Sequence, residues 1–239
     1  FVGSDDFSGG DGKWAYYFRT LGNGTNNGLL TFTGSNLSFS ASGGSSSYFL
    51  GFDADTGSAA SRNVASYTNS WIMNLQVTNT TVMSGSEYTN VGFQIAGGSS
   101  TYAALMLGST ASGYSFRMEG SSISTTTVAA SDNTDVWLRL AWDAGTQQLT
   151  GSYSNDGATY TTVGTVTPSA LWSTGNASTS GFYFEAWANS TATAAISSGM
   201  TADNFSITAV PEPSTYAALA GVAALGLAVW RRRSRRASA

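Results

Sequence analysis

The sequence predicts an all-β fold, a two-sheet antiparallel sandwich or jelly roll, followed by a single C-terminal transmembrane helix. Between residues 7 and 210, short runs of alternating apolar and polar residues are separated by Gly, Ser, Asn and Asp, the pattern of half-buried strands joined by turns. The chain has 28 glycines and only 10% charged residues, which is typical of secreted β proteins. Near the C-terminus, an uncharged segment runs directly into a block of arginines.

These observations divide the chain into four parts. Residues 1–209 form a β-sandwich ectodomain, and residues 210–215 form a Pro-Glu-Pro segment. Residues 216–230 form the transmembrane helix, and residues 231–239 form a basic tail. No internal repeat or change of composition marks a second domain within the ectodomain, and all-β domains often reach about 200 residues as one unit.

Five segments show the clearest period-two alternation, in which the apolar side chains fall on one face of a strand. They are 71–77, 91–95, 114–118, 136–142 and 182–186. Further strands are predicted at 30–40, 102–107, 148–154, 160–163 and 204–209. Turn signals that contain Asp and Gly separate neighbouring strands at 143–146 and 155–157. Strands with one buried face each require two packed sheets.

The composition excludes several classes of function. Without any Cys or His, the chain has no thiolate nucleophile, disulfide, Ser-His-Asp triad or His-ligated zinc. Residues 1–209 carry five basic residues against thirteen acidic ones, a net charge of −8, because the other five basic residues lie in the tail. Such a charge repels phosphate backbones, so nucleic acid is excluded as a main partner.

The C-terminal segment has the composition of a membrane anchor. As a helix, residues 216–230 span about 22 Å, less than the roughly 30 Å hydrocarbon core, but flanking residues can extend the span and arginines can snorkel. A buried helix of a soluble domain is the alternative, although such a helix does not usually end in a cationic block. That block consists of Arg231, Arg232, Arg233, Arg235 and Arg236. By the positive-inside rule the arginines stay in the cytoplasm, and everything before Pro211 lies on the other side of the membrane.

The segment before the apolar stretch resembles a known sorting signal. Val210, Pro211, Glu212 and Pro213, followed by one apolar span and a terminal arginine cluster, are similar in content and order to the PEP-CTERM signal of Gram-negative bacteria. The resemblance implies recognition by an exosortase, a membrane protease that cleaves near the Pro-Glu-Pro and releases the protein or transfers it to the cell surface. It also implies a link to exopolysaccharide and biofilm matrix. The two prolines hold the segment extended and accessible outside the membrane.

Export through the inner membrane requires a signal upstream of the ectodomain. The chain begins at Phe1 without Met. We therefore expect an N-terminal signal peptide that has been removed or lies outside this sequence.

Parts of the ectodomain resemble the concanavalin A-like lectin/glucanase fold. Asp5-Asp6-Phe7-Ser8 opens the domain, and Asp203-Asn204-Phe205-Ser206-Ile207 closes it. Between them, Val136-Trp137-Leu138-Arg139-Leu140 leads into a second strand and the turn Asn155-Asp156-Gly157. The resemblance implies a β-sandwich whose first and last strands are neighbours. It does not fix a function, because one fold hosts many.

The strand faces opposite the predicted core carry candidate carbohydrate-binding residues. Amides and charged groups bond sugar hydroxyls, and aromatic rings stack on the apolar face of a sugar. The candidates are Asn74, Gln76, Gln94, Arg117, Tyr183, Glu185 and Trp187. Together on one open sheet face, they would bind exopolysaccharide. A solvated face with incidental aromatic residues explains the same pattern equally well.

Three aspartates are candidate calcium ligands: Asp5, Asp6 and Asp203. Carboxylate oxygens suit Ca²⁺, which takes further oxygens from backbone carbonyls. One structural Ca²⁺ would pin the terminal strands of the sandwich together. Aspartates that cap turns or protect edge strands are the alternative.

No catalytic apparatus is evident in the sequence. Hydrolysis of a glycosidic bond needs two carboxyl groups about 5–9 Å apart, and the glucanases of the resembling fold supply them as Glu-x-Asp-x-Glu, which this chain lacks. We therefore expect a non-enzymatic surface or matrix protein that binds exopolysaccharide. A divergent glycoside hydrolase acting on matrix glycan and a purely structural matrix protein are the alternatives.

Overall fold

The computed structural model describes residues 3–5, 14–19, 28–41, 43, 49–54, 69–96, 102–120, 123–167, 183–210, 221 and 223–227. Within these residues the chain forms fifteen strands. They are β1 (Gly3–Asp5), β2 (Trp14–Arg19), β3 (Gly28–Phe32), β4 (Leu37–Ala41), β5 (Phe49–Ala54), β6 (Trp71–Asn79), β7 (Tyr88–Ala96), β8 (Tyr102–Thr110), β9 (Gly113–Gly120), β10 (Ile123–Ala129), β11 (Val136–Asp143), β12 (Gln148–Ser154), β13 (Thr161–Val166), β14 (Tyr183–Ser190) and β15 (Ile196–Ala209).

The strands form two antiparallel sheets. Sheet A has eight strands in the order β13-β12-β11-β6-β15-β4-β3, with β1 paired to the last part of β15. Sheet B has seven strands in the order β10-β9-β8-β7-β14-β5-β2. One hydrophobic core lies between them and takes side chains from both sheets. The predicted two-sheet antiparallel sandwich is therefore confirmed.

Period-two alternation builds this core. Along β6 and β11, every second side chain is buried and the intervening ones are partly exposed. The same spacing in sheet B buries Phe93 and Phe116 against them. The Phe116 ring stacks on the Tyr153 ring of β12 with centroids 3.9 Å apart, which joins the two sheets directly.

The ten predicted strands correspond to observed strands, with one correction. The predicted continuous strand at 30–40 is wrong, because β3 and β4 are separate and joined by a tight turn. Thr33 N donates to the Asn36 carbonyl at 3.0 Å, and Gly34 has φ +85°, a left-handed conformation that glycine adopts easily. The prediction also omitted β1, β2, β5, β10 and the first half of β15.

The first and last strands are neighbours, as the fold resemblance implied. β1 pairs with β15 so that Asp5 lies opposite Phe205. β15 ends at Ala209, and the next residue, Val210, donates its backbone N–H to the Ser70 carbonyl at 2.9 Å. This bond is the last described link between the chain and the sandwich.

Little of the C-terminal segment belongs to the described residues. Residues 221 and 223–227 are helical and exposed, with 68% of Leu225 and 59% of Leu227 accessible to solvent. Among the described residues, no helix has both the length and the hydrophobicity needed to span a bilayer. The rest of the predicted span, Pro211, Glu212 and Pro213 of the sorting segment and the five tail arginines lie outside the described residues.

Candidate functional site

The outward face of sheet A, hereafter face A, carries a row of polar residues that crosses five strands. Strand register aligns Thr162, Ser152, Arg139, Asn74 and Ser206 on β13, β12, β11, β6 and β15. Because neighbouring strands lie about 4.8 Å apart, the row is about 19 Å long. Hydroxyl, amide and guanidinium groups thus follow one another across the sheet.

Arg139, Asn74 and Tyr160 form the centre of face A. Arg139 Nε donates to Asn74 Oδ1 at 2.8 Å, and the guanidinium carbon lies 3.4 Å from the centroid of the Tyr160 ring. Tyr160 Oη donates to the same Asn74 oxygen at 3.4 Å, while Asn74 Nδ2 donates to Ser206 Oγ at 3.2 Å. Burial raises the pKa of Tyr160, and the positive charge of Arg139 opposes this. The phenol therefore stays protonated at neutral pH, and the side chains fix one another in place.

The loop between β12 and β13 folds back over face A. Gly157 (φ +71°) lies so close to Trp137 that a Cβ there would be 2.9 Å from Trp137 Nε1. Within the loop, the Asp156 carboxylate accepts the backbone N–H of Thr159 at 2.8 Å. This bond contributes most, and with the bonds from the Ser154 hydroxyl and the Ala158 N–H it lowers the pKa of Asp156 to about 2. The carboxylate is therefore ionised at neutral pH and fixes the conformation of the loop that leads to Tyr160.

Gln76 connects the cluster to a bulge in β15. One extra residue lies between Asp203 and Ser206 opposite β6, and Asn204 in this bulge has φ +49°. Asn204 Nδ2 donates to Gln76 Oε1 at 2.7 Å, and Gln76 Nε2 donates to the Asp135 carbonyl at 3.2 Å. The predicted amides of β6, Asn74 and Gln76, therefore bind protein groups. Asn74 in turn positions the guanidinium of Arg139 and the ring of Tyr160.

The outward face of sheet B, hereafter face B, is buried at β7 and the middle of β8 and partly exposed at β9. Gln94 is only 5% exposed, and Ala104 and Met106 are fully buried although they lie opposite the core. Arg117 Nε lies 3.2 Å from Glu119 Oε2 as an ion pair without hydrogen-bond alignment. Burial keeps Gln94 and its apolar neighbours from contact with a ligand in this structure.

The predicted carbohydrate-binding residues are divided between these two faces. Two lie on β6 of sheet A: Asn74 and Gln76. Five lie on strands of sheet B: Gln94, Arg117, Tyr183, Glu185 and Trp187. For the three residues on β14, the backbone alone is described, with Glu185 opposite Gln94 in register. The expectation of one open sheet face is therefore not met, and the role of these residues in sugar binding stays a prediction.

Sequence reasoning missed three side chains at the centre of face A: Trp137, Arg139 and Tyr160. A signal for two of them was present, since Trp137 and Arg139 alternate with the buried Val136, Leu138 and Leu140. No local pattern could have shown that the loop after β12 returns Tyr160 to the sheet.

The calcium hypothesis is untested by this structure. Asp203 Oδ1 accepts the backbone N–H of Asn204 at 2.6 Å, as a turn-capping aspartate does. The side chain of Asp5 and all of Asp6 lie outside the described residues. Among the residues that are described, no three acidic side chains gather in a way that would hold a metal.

Comparison with known proteins identifies the C-terminal segment. Residues 209–233 match the PEP-CTERM protein-sorting motif. The chain carries a PEP-CTERM sorting signal. The match contains Val210 to Pro213, the apolar stretch and the first three arginines of the block, in the predicted order.

Solved structures similar to this chain share the sandwich at low sequence identity. A GH43B protein from Bacteroides ovatus has 14% identity and a TM-score of 0.56 over 87% of this chain. A seed lectin from Lotus tetragonolobus has 12% identity and a TM-score of 0.54, with 89% of this chain and all of the lectin covered. A Saccharomyces cerevisiae protein of unknown function has 13% identity and a TM-score of 0.51, with 82% of this chain and 97% of that one covered.

These similarities establish the concanavalin A-like fold and leave its use open. The chain spans 39% of the length of the GH43B protein. GH43 proteins and lectins both have this sandwich, so the fold is compatible with hydrolysis or with binding. No curated protein matches the sequence.

Proposed function

We propose that this protein is exported through the inner membrane, held there briefly by its C-terminal helix, and processed by an exosortase for the cell surface or the extracellular matrix. The PEP-CTERM signal at 209–233 supports this proposal. The described part of the helix adds support, because its leucines are exposed to solvent and do not pack into the sandwich. Exposed leucines on an uncharged helix that precedes arginines are stabilised by transfer into lipid.

Replacing Pro211, Glu212 and Pro213 together with alanine is expected to block processing. Without the two prolines the segment can join the helix, and the protease loses its extended substrate. In cells with an exosortase, the wild type should appear as a shortened product outside the membrane fraction, and the variant as the full-length chain within it. A Ser214→Ala variant serves as the control and should be processed normally. Equal processing of the wild-type protein and the triple variant would contradict the proposal.

We further propose that the ectodomain binds exopolysaccharide through face A and has no catalytic role. The observation that carries this proposal is the pair of Arg139 and Tyr160 on face A, both bonded to Asn74, with Trp137 on the same face of β11 against Gly157. Rings and a guanidinium held by neighbouring bonds lose little entropy when a sugar stacks on them. The exposed hydroxyl of Thr162, on β13 in the same row, supplies a partner for sugar hydroxyls.

Affinity electrophoresis against a panel of bacterial exopolysaccharides tests this binding. Trp137→Ala and Tyr160→Ala should each weaken the affinity about tenfold, since each removes one stacking ring. Thr165→Ala, on β13 of the same sheet, is the matched control and should bind like the wild type. If no polysaccharide retards the wild-type protein, or if the three variants behave alike, face A does not bind glycan.

One observation favours a divergent glycoside hydrolase as the second candidate. Strand register sets Glu185 of β14 directly opposite Asp53 of β5. Two acidic residues are thus adjacent on neighbouring strands of sheet B, and glycoside hydrolysis needs a pair of carboxyl groups about 5–9 Å apart. Release of reducing sugar from matrix glycan, lost in both Glu185→Gln and Asp53→Asn, would favour this candidate over binding alone.

A further inference from the structure

Arg139 has an environment unlike that of the other cation whose side chain is described. Arg117 lies beside the Glu119 carboxylate, with 3.2 Å between Nε and Oε2. Arg139 has no carboxylate partner among the described residues: its Nε–H is bound by Asn74, and its guanidinium stacks on Tyr160. The terminal nitrogens Nη1 and Nη2, with four N–H donors, therefore belong to a cation that forms no ion pair with any acidic side chain in the described part of the chain.

The contacts of Arg139 fix its orientation as well as its position. The amide oxygen of Asn74 holds one edge of the planar group, and the ring of Tyr160 covers one of its faces. Asn74 is itself bound to Ser206, so the arrangement is braced from the neighbouring strand. A planar, oriented guanidinium matches the two oxygens of a carboxylate better than a flexible ammonium does.

The surrounding charge limits how many anionic groups a ligand can bring. Residues 1–209 have a net charge of −8. Three aspartates lie on or beside face A: Asp203, opposite Gln76 in register, Asp135, whose carbonyl accepts from Gln76, and Asp156, in the β12–β13 loop. A densely charged polyanion is repelled by this field, whereas one carboxylate placed on Arg139 is attracted locally. The polar row on both sides of Arg139 suits neutral, hydroxyl-rich units.

We propose that Arg139 recognises a sugar carboxylate, of the uronic acid type, that occurs at intervals along an otherwise neutral polysaccharide lying across face A. This inference rests on the proposed glycan binding by the same face. It adds the substrate class: sparsely acidic polysaccharide, in preference to neutral glucans and to dense polyuronates. Stacking on Trp137 and Tyr160 would supply affinity, and the carboxylate contact would supply selectivity.

The test compares each polysaccharide with its own carboxyl-reduced form. Gellan and xanthan carry carboxylates at intervals, their carboxyl-reduced derivatives keep the same chains without the charge, and alginate supplies a dense polyuronate. The full-length protein in mild detergent should bind native gellan or xanthan about tenfold more tightly than the reduced form, because a charge-assisted hydrogen bond is lost on reduction. Alginate should bind no better than the reduced polymers.

Two variants separate this inference from the function on which it rests. Arg139→Gln should lower the affinity for the native polymer more than that for the reduced one, so that the tenfold native-to-reduced ratio falls to about one. Arg139→Lys should give a ratio between those of the wild type and Arg139→Gln. Unfolding midpoints equal to that of the wild type would show that both variants fold. Equal binding of native and reduced polymers, still weakened by Trp137→Ala, would overturn the carboxylate inference and leave glycan binding in place. Absence of binding to either form would overturn both.

Discussion

Replacing Asn79 with leucine is expected to destabilise the fold by about 3 kcal/mol, the largest effect that we predict for a single polar side chain. Asn79 is fully buried at the end of β6, in sheet A. Its Nδ2 donates across to sheet B, to Thr89 Oγ1 at 3.2 Å and to the Leu107 carbonyl at 3.1 Å. Its Oδ1 accepts the Thr81 hydroxyl at 2.6 Å. Leucine fills a similar volume but leaves these polar groups without their partner in a place that water does not reach.

Denaturant unfolding followed by tryptophan fluorescence measures this effect. The transition of Asn79→Leu should move to lower denaturant with an unchanged slope, as expected for a loss of stability without a change in the surface exposed. Asn155→Leu is the matched control, because the exposed Asn155 makes one long bond, 3.3 Å to Ser131 Oγ. The control should change the stability by less than about 0.5 kcal/mol. Similar shifts for the two variants would refute the assigned role of the buried network.

Gly92→Ala is expected to cost about 2–3 kcal/mol, for a steric reason. A Cβ at Gly92 would lie 2.2 Å from the Leu105 carbonyl oxygen and 2.7 Å from Met106 Cα. Both atoms belong to the backbone of β8, the hydrogen-bonded neighbour of β7, so relief requires the two strands to separate. The glycine therefore allows an unusually close approach at the middle of sheet B.

A second glycine provides the control for this substitution. At Gly145, a Cβ would meet only the Asp143 carboxylate oxygen, at 3.3 Å, which belongs to an exposed side chain and not to a neighbouring strand's backbone. Thermal unfolding should show a melting temperature below that of the wild type for Gly92→Ala. The melting temperature of Gly145→Ala should stay close to that of the wild type. Equal melting temperatures for the two variants would mean that the strands tolerate the added methyl group.

The sequence predicted the strands best where one face is buried. β6 and β11 alternate strictly between apolar and polar residues, because the core admits one side and solvent meets the other. β10 was missed because Ile123–Ala129 is a run of Ser and Thr with little alternation at the edge of sheet B. The hairpin at 33–36 was missed because the apolar pattern continues on both sides of a turn set by backbone bonds.

The candidate site was harder to predict than the strands. Alternation shows which side chains of a strand face away from the core, but it does not show which sheet the strand joins. The order of strands in a sheet depends on contacts between segments that are distant in sequence. In sheet A, β6 lies between β11 and β15, two strands that are both distant from β6 in sequence. β7, which directly follows β6 along the chain, belongs to sheet B. Asn74 and Gln94 therefore lie on opposite outer faces although their patterns look alike. The C-terminal signal was predictable because its recognition depends on a short contiguous segment.

The most direct test of glycan binding by face A is hydroxyl-radical footprinting of the full-length protein, with and without the polysaccharide that it binds most tightly. If face A is the binding surface, oxidation of Trp137 and Tyr160 should fall when the glycan is present. Tyr102, on face B, should react equally in both samples. Protection of Tyr102 with no change at Trp137 and Tyr160 would contradict the account and direct attention to the carboxylates of face B.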